Sequence, residues 1–359
     1  MDFTPTEEQT AARGLAARIF ADLATHERLR AAGTGSDAEL WKALCAAGLP
    51  GSVEETGLLG LVLLLEEQGR VTAQVPFAAT CVYGILAVAR HGTDEQRARL
   101  LPGLRDGTTV ATGAFPGTGA VASHRGRLSG TVDWVPWLRD ATHVLVPDAD
   151  HGLWLVRTED AAGIDPVELT APWSAARLVL DETPGERLGG SGGADGGGSR
   201  DMGGAGGAAV YAEVLAAART AFAGLQAGVC AGSLARAVAY TAVREQFGRP
   251  LATRQAVQLR AADAHMDTEA IRVTAYEAAW RHDEGLDARA AALTAAWWAS
   301  EAGKRVVHAG QHLHGGMGAD LDHPVHRHFL WGRQLDAHLG CGTEVLAELG
   351  DLLAEGGLS

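Results

Sequence analysis

The chain reads as a mainly α protein with a small central β-domain, and three observations carry that expectation. Helical apolar periodicity fills residues 1–108, short β-branched runs between turn residues occupy 109–184, and helical periodicity returns over 208–359. The intervening stretch, 185–207, is mostly Gly, Ser, Ala and Asp.

In the first region Thr6-Glu7-Glu8-Gln9 is a capping box that opens an apolar-periodic run toward Ala24. A second box, Thr93-Asp94-Glu95-Gln96, precedes Ala98, Leu100 and Leu101, and Pro102 is expected to stop that helix. In the second region the runs Thr131–Val135, His143–Val146, Leu153–Val156 and Arg177–Leu180 alternate or are β-branched. Pro147-Asp148, His151-Gly152 and Asp165-Pro166 separate them. No long helix intervenes, so a small β-domain is expected, not a βαβ sheet. The Gly-rich stretch 185–207 reads as a flexible linker. A phosphate-cradling loop is the sharper alternative, but the stretch lacks a preceding strand and a G-K-[ST] ending. The last region is a series of helices broken at Gly248-Arg249-Pro250, at Gly285 and over the Gly315–Pro324 loop.

Composition narrows the function. At 359 residues the chain is long enough for two or three domains, and 47% hydrophobic with 21% charged residues is ordinary for a globular protein. A formal charge of -14 argues against nucleic acid, whose phosphates call for clustered Lys and Arg. The longest unbroken apolar run, Leu58–Leu65, is far short of the ~20 residues that cross a bilayer, so no membrane partner is expected. Met1-Asp2-Phe3-Thr4-Pro5 carries neither a basic patch nor an apolar signal core. Cys45, Cys81, Cys230 and Cys341 are scattered without C-x-x-C spacing, so a reduced, cytoplasmic protein without disulfides or zinc is expected.

Two segments carry the chemistry. Arg244-Glu245-Gln246-Phe247-Gly248-Arg249-Pro250 closes a long helical run with a cation and an amide. His312-Leu313-His314-Gly315-Gly316-Met317-Gly318 sets a glycine pair among histidines. Arg244 at a helix C-terminus is favoured by the dipole and could fork onto a pyrophosphate, or could pair on the surface with Glu245 or Asp263. The glycine pair allows close backbone approach to a ligand, or serves as a helix C-cap with solvated histidines. His308, His312, His314, His323, His326, His328 and His338 invite a metal, but no H-E-x-x-H spacing supports one.

In these two segments, and in Gly92-Thr93-Asp94-Glu95-Gln96-Arg97 with Leu101-Pro102, the chain resembles the acyl-CoA dehydrogenase family. The resemblance covers nearly the whole chain. It implies an N-terminal helical domain, a middle β-barrel domain and a C-terminal four-helix bundle that drives assembly. It also implies FAD as cofactor. In the family the Arg-x-Gln-Phe-Gly element holds one FAD, and the Gly-Gly element of a neighbouring subunit closes over the same dinucleotide. The implied cofactor-binding residues are Arg244, Gln246, Phe247, Gln255, His312, Gly315 and Gly316, with Phe247 both core and flavin contact.

The family's catalytic carboxylate is missing from both of its usual places. α,β-Dehydrogenation of a CoA thioester needs a base for the α proton while hydride leaves the β carbon. Many relatives carry that Glu just before a Gly-Thr near the C-terminus; Leu339-Gly340-Cys341-Gly342-Thr343 puts Cys341 there. Others carry it on a helix immediately before an Arg; here that Arg is Arg219 and its predecessor is Ala218. Cys341, Glu213 and Glu344 are the substitutes within reach in sequence. Glu213 lies on a different helix face from Ala218, and a thiol in an apolar pocket would stay protonated. The middle region departs as well. Ala114-Phe115-Pro116-Gly117-Thr118-Gly119 and Trp134-Val135-Pro136-Trp137 replace the family's Ala-Gly-Ser-Asp and Trp-Ile-Thr flavin-ring contacts, and Pro136 has no N–H to donate.

Asp322-His323-Pro324-Val325-His326-Arg327-His328-Phe329-Leu330-Trp331 resembles actinobacterial members that work as unlike α2β2 pairs on steroid-side-chain CoA thioesters. The expectation is therefore a non-catalytic subunit that completes the FAD site of a catalytic acyl-CoA dehydrogenase partner. Two other readings stand beside it: a self-sufficient homotetramer using Cys341 or Glu344, and a helical scaffold without flavin.

Overall fold

The structure, a computed structural model, describes residues 2–117, 119–189 and 205–356. An N-terminal helical layer comprises α1 (Glu7–Leu23), α2 (His26–Ala31), α3 (Ala38–Ala46), α4 (Leu49–Val71), α5 (Phe77–Ala79), α6 (Ala87–His91) and α7 (Asp94–Asp106). A π-helical segment, Thr80–Leu86, joins α5 to α6. Both capping boxes form: the hydroxyls of Thr6 and Thr93 accept from the amides of Gln9 and Gln96. Pro102 does not stop α7, contrary to expectation, and the helix runs on to Asp106. The ring removes one donor only, and buried Leu101 and Leu104 hold the last turn until Gly107, at φ 79°, ends it.

The middle strands are β1 (Ala111–Gly113), β2 (Val121–His124), β3 (Arg127–Val135), β4 (His143–Pro147), β5 (Leu153–Arg157), β6 (Gly163–Pro166), β7 (Ala176–Pro184) and β8 (Glu186–Arg187). They form two four-stranded sheets, β1-β4-β5-β8 and β2-β3-β7-β6. The four expected runs lie within β3, β4, β5 and β7. Val121, Leu128, Val144, Val156 and Leu178 fill a small core of their own. Glu186 and Arg187, expected in the linker, instead pair with Leu155 and Trp154 as the edge strand β8. The rest of that stretch, from 190 to 204, lies outside the described residues.

The C-terminal bundle comprises α8 (Ala205–Val243), the hairpin β9 (Glu245–Gln246) with β10 (Arg249–Pro250), α9 (Gln255–Asp283), α10 (Arg289–Leu313), α11 (Pro324–Ala337) and α12 (Gly342–Ala354). α8 is long and apolar enough to cross a membrane by composition, but 94% of its most apolar window is buried inside the protein. It is the central helix. Gly224, Gly228 and Gly232 repeat every fourth residue on its α4-facing side. A Cβ on Gly228 would sit 2.8 Å from the Glu66 carbonyl carbon, and one on Gly69 would sit 2.7 Å from the Val229 nitrogen. The two backbones touch, which only glycine permits.

Two polar devices tie the N-terminal layer to the bundle. Glu66 is fully buried between Arg13 on α1 and Arg272 on α9, and these cations offset a burial that raises its carboxyl above the usual range. At Gly57 (φ 71°, ψ -169°) α4 kinks, and the restarted helix is capped from α9: the amides of Leu58 and Leu59 donate to Asp283 at 2.8 and 2.9 Å.

Candidate functional site

Two tight turns reverse the chain between α8 and α10, so these helices run parallel and end side by side. This brings the two motif segments together. Arg244, Gln246, His312, Gly315 and Gly316 line one cavity of about 570 Å³ with Tyr240, His314 and Met317. One chain therefore carries both motif segments as walls of the same cavity. Arg244 lies just past α8, its amide donating to the Tyr240 carbonyl at 2.9 Å. Asp263, one suggested partner, lines a separate groove with Arg260 and Arg305, and among the described residues Arg244 forms no ion pair. Arg244 is exposed at the cavity wall, and a guanidinium without a counter-charge is suited to an anion.

The glycine pair carries a second clue. Gly315 has φ +63°, so its own backbone calls for glycine, whereas Gly316 has no positive φ. A Cβ on Gly316 would meet nothing within 4 Å. Neither conformation nor packing within the chain explains glycine there, so the missing side chain leaves room for something outside the chain. The residues present therefore fit the diphosphate half of a dinucleotide: one free guanidinium, an amide, imidazoles and an unobstructed backbone.

Phe247 is not core, contrary to one expected role. It is 91% exposed at the hairpin tip with φ 54°. Gln255 is exposed at the start of α9 and does not line the cavity. Tyr240 lies outside both sequence motifs, and it meets His314 of the second motif. Their rings stack at 4.9 Å, and the His314 Nδ1–H donates to the Gly310 carbonyl at 2.7 Å, leaving Nε2 as the other polar atom of the ring. The spacing of Tyr240 and Arg244, four residues apart on α8, was the available signal. Among the described residues no group of three His, Cys, Asp or Glu could hold a metal.

The family base positions present a different picture. Ala218 is fully buried. Arg219, 7% exposed, forks onto Glu348 of α12 at 2.7 and 2.8 Å and donates to the Leu339 carbonyl at 3.3 Å. The space bounded by Arg219, Phe222, His338 and Gly340 is about 20 Å³, room for a single water. Aromatic rings close in around it: Trp137 stacks on Trp173 at 4.4 Å, and His338 meets Phe222 at 4.4 Å and Trp173 at 5.6 Å. Burial pushes His338 down to about 3, so the ring is neutral. The loop after β1 is packed likewise. Phe115 stacks on Tyr83 at 5.0 Å and on Tyr211 at 5.5 Å, and the Tyr211 hydroxyl donates to the Pro116 carbonyl at 2.9 Å.

The substitute carboxylates are engaged elsewhere. The Cys341 amide donates to Glu344 at 2.9 Å, so that carboxylate caps α12. Glu213 pairs with Arg90 and lies 3.7 and 3.9 Å from His91 and His282, on the face of α8 turned toward α6 and the end of α9. The Cys341 thiol contacts the Thr343 hydroxyl at 3.2 Å.

Residues 6–108 match the family profile "Acyl-CoA dehydrogenase, N-terminal domain" and residues 205–346 match "Acyl-CoA dehydrogenase, C-terminal domain". Acyl-CoA dehydrogenase FadE27 of Mycobacterium tuberculosis is 33% identical over 99% of both chains. This chain belongs to the acyl-CoA dehydrogenase family. As an acyl-CoA dehydrogenase it falls in an oxidoreductase family of FAD-binding flavoproteins. A solved structure described as "Tcur3481-Tcur3483 steroid ACAD G363A variant" shares 42% identity with this dehydrogenase chain, at a TM-score of 0.88 over 98% of it and 99% of the other. The ChsE4-ChsE5 complex from Mycobacterium tuberculosis gives 33% and 0.86 over 99% of both.

Proposed function

We propose that this acyl-CoA dehydrogenase chain is the base-lacking subunit of a heteromeric enzyme that desaturates a steroid-side-chain CoA thioester. One pairing of observations carries the reading: the cavity beside Arg244 and Gly316 is open, while the space that Arg219, Phe222, His338 and Gly340 bound is narrowed to about 20 Å³ by the chain's own side chains. Similarity along almost the full length to chains of a steroid ACAD and of the ChsE4-ChsE5 complex supports an unlike partner.

In this reading Arg244 and Gln246 grip the diphosphate of an FAD shared across the interface, and Phe247, with Gln255 at the foot of α9, faces the partner. The backbone of Gly315 and Gly316 gives the ligand close approach, and His312 can donate from the opposite wall. FAD, when bound, contributes the hydride-accepting ring system. The proton acceptor and most ring contacts come from the partner, because Cys341 and Ala218 offer no carboxylate and Glu344 is committed to capping α12. The four free thiols are consistent with a reducing compartment such as the cytoplasm.

Purification of the chain alone and together with its partner tests this. The lone chain should hold no flavin and turn over no acyl-CoA, and the pair should hold one FAD per two unlike chains. Full flavin occupancy with turnover by the lone chain refutes it.

A further inference from the structure

The hairpin that carries Gln246 and Phe247 is strained. Gln246 pairs with Arg249 across a two-residue turn, and both turn residues have positive φ: 54° at Phe247 and 78° at Gly248. That is the geometry of a type I′ turn, which favours Asn-Gly and penalises a bulky first residue whose Cβ crowds the backbone. Phe247, at 91% exposure, has almost no packing against the chain to offset this. One side chain does reach it. The Arg254 guanidinium carbon lies 5.1 Å from the Phe247 ring centroid, and its Nη2–H donates to the Gln246 carbonyl at 2.7 Å.

Arg254 is itself well anchored. It sits between the short 3₁₀ turn Leu251–Thr253 and α9, its amide donates to the Leu251 carbonyl at 3.0 Å, and the Leu251 amide donates to the Arg244 carbonyl at 2.9 Å. One guanidinium therefore spans from the root of α9 to Gln246 and Phe247 of the hairpin, while Arg244 holds that root from the other side. Among the described residues Arg254 has no carboxylate partner, so its charge is spent on the ring and the carbonyl.

We propose that Arg254 is a positioning residue: it holds the Gln246–Arg249 turn in its strained form, so that Gln246 and Phe247 are presented to the dinucleotide already ordered. A loop ordered before binding spares the ligand the entropic cost of ordering it. The dinucleotide is the one assigned to this cavity under the proposed function, and the inference rests on that reading only for its effect on affinity. The order of the turn is a property of the chain by itself.

The test uses amide hydrogen exchange over residues 245–250 of the lone chain and an FAD titration of the flavin-stripped complex with its partner. Arg254→Ala should raise exchange in the turn about tenfold and weaken FAD about tenfold, the scale of one cation–π contact with one charged hydrogen bond. Arg254→Lys, which keeps the charge over the ring without the planar fork, should fall between. In a Phe247→Asn background, where Asn-Gly takes the turn unaided, Arg254→Ala should leave exchange unchanged. Unaltered exchange in Arg254→Ala, or the same tenfold rise in the Asn background, overturns the inference. Arg244→Ala is the control: if it too leaves FAD affinity intact, the flavin reading of the cavity fails, and the exchange data still decide the role of Arg254.

Discussion

Replacing Gly316 by Ala separates a glycine kept for a ligand from a glycine kept for the fold. Within the chain the added methyl meets nothing within 4 Å and the backbone does not sit at positive φ. The lone chain should therefore lose no stability, and should gain roughly 0.5 kcal/mol by restricting its unfolded state. Gly228→Ala is the matched contrast, since its methyl would overlap the Glu66 carbonyl group at the α4–α8 crossing, with Glu66 Cα at 2.8 Å. Overpacking of that kind costs about 1–3 kcal/mol, which lowers the melting temperature by several degrees in a protein of this size. In the flavin-stripped complex the order reverses. If the dinucleotide lies against this backbone as proposed, a methyl on Gly316 would crowd it, and about 1–3 kcal/mol of crowding corresponds to roughly 5- to 150-fold weaker FAD binding. Calorimetric melting of the lone chain and fluorescence titration of the complex read the two effects independently. A Gly316→Ala chain that melts markedly lower, or a complex that binds FAD as wild type does, refutes the reasoning.

Arg244→Ala should leave the melting temperature of the lone chain unchanged and weaken FAD in the complex by roughly 10- to 100-fold, the scale of a charge-assisted contact to phosphate, read by titration. Asp283→Ala, which strips the amides of Leu58 and Leu59 of their cap, should destabilise the chain by about 1–2 kcal/mol in urea unfolding. Burial holds His328 down at about 4 and His338 at about 3, against ordinary imidazoles near 6.5, so the folded chain binds fewer protons than the unfolded chain below neutrality. Stability from these groups is complete above about pH 6.5 and is lost as the pH falls toward 4, by roughly 1.4 kcal/mol per unit for each ring. His338→Phe should flatten that decline, and a profile as steep as wild type would count against it. Cys341→Ala should leave turnover of the complex intact; a loss of two orders of magnitude would restore the thiol as a candidate base.

Local features were legible from residue order. The two capping boxes, the β-branched runs of β3, β4, β5 and β7, and the glycine breaks after α8 and α9 depend on near neighbours, and near neighbours are what a sequence displays. The short strands β1, β2, β6 and β8 were not legible, because two to four residues carry too little periodicity to stand out. Pro102 misled because buried Leu101 and Leu104 outweigh one missing hydrogen bond. The Gly57 kink was hidden because its cap, Asp283, comes from the far end of α9.

Residue identity alone established which groups are available: a guanidinium at Arg244, a glycine pair at Gly315 and Gly316, and no carboxylate at Cys341 or Ala218. Tertiary structure alone decided how those groups combine. Two chain reversals set the ends of α8 and α10 side by side, so both motif segments wall one cavity. Trp137, Trp173, Phe222 and His338, drawn from the β-domain, α8 and the end of α11, meet as one aromatic cluster on one side of Arg219. Ring packing between elements far apart in the chain depends on how layers dock, and no local pattern encodes it.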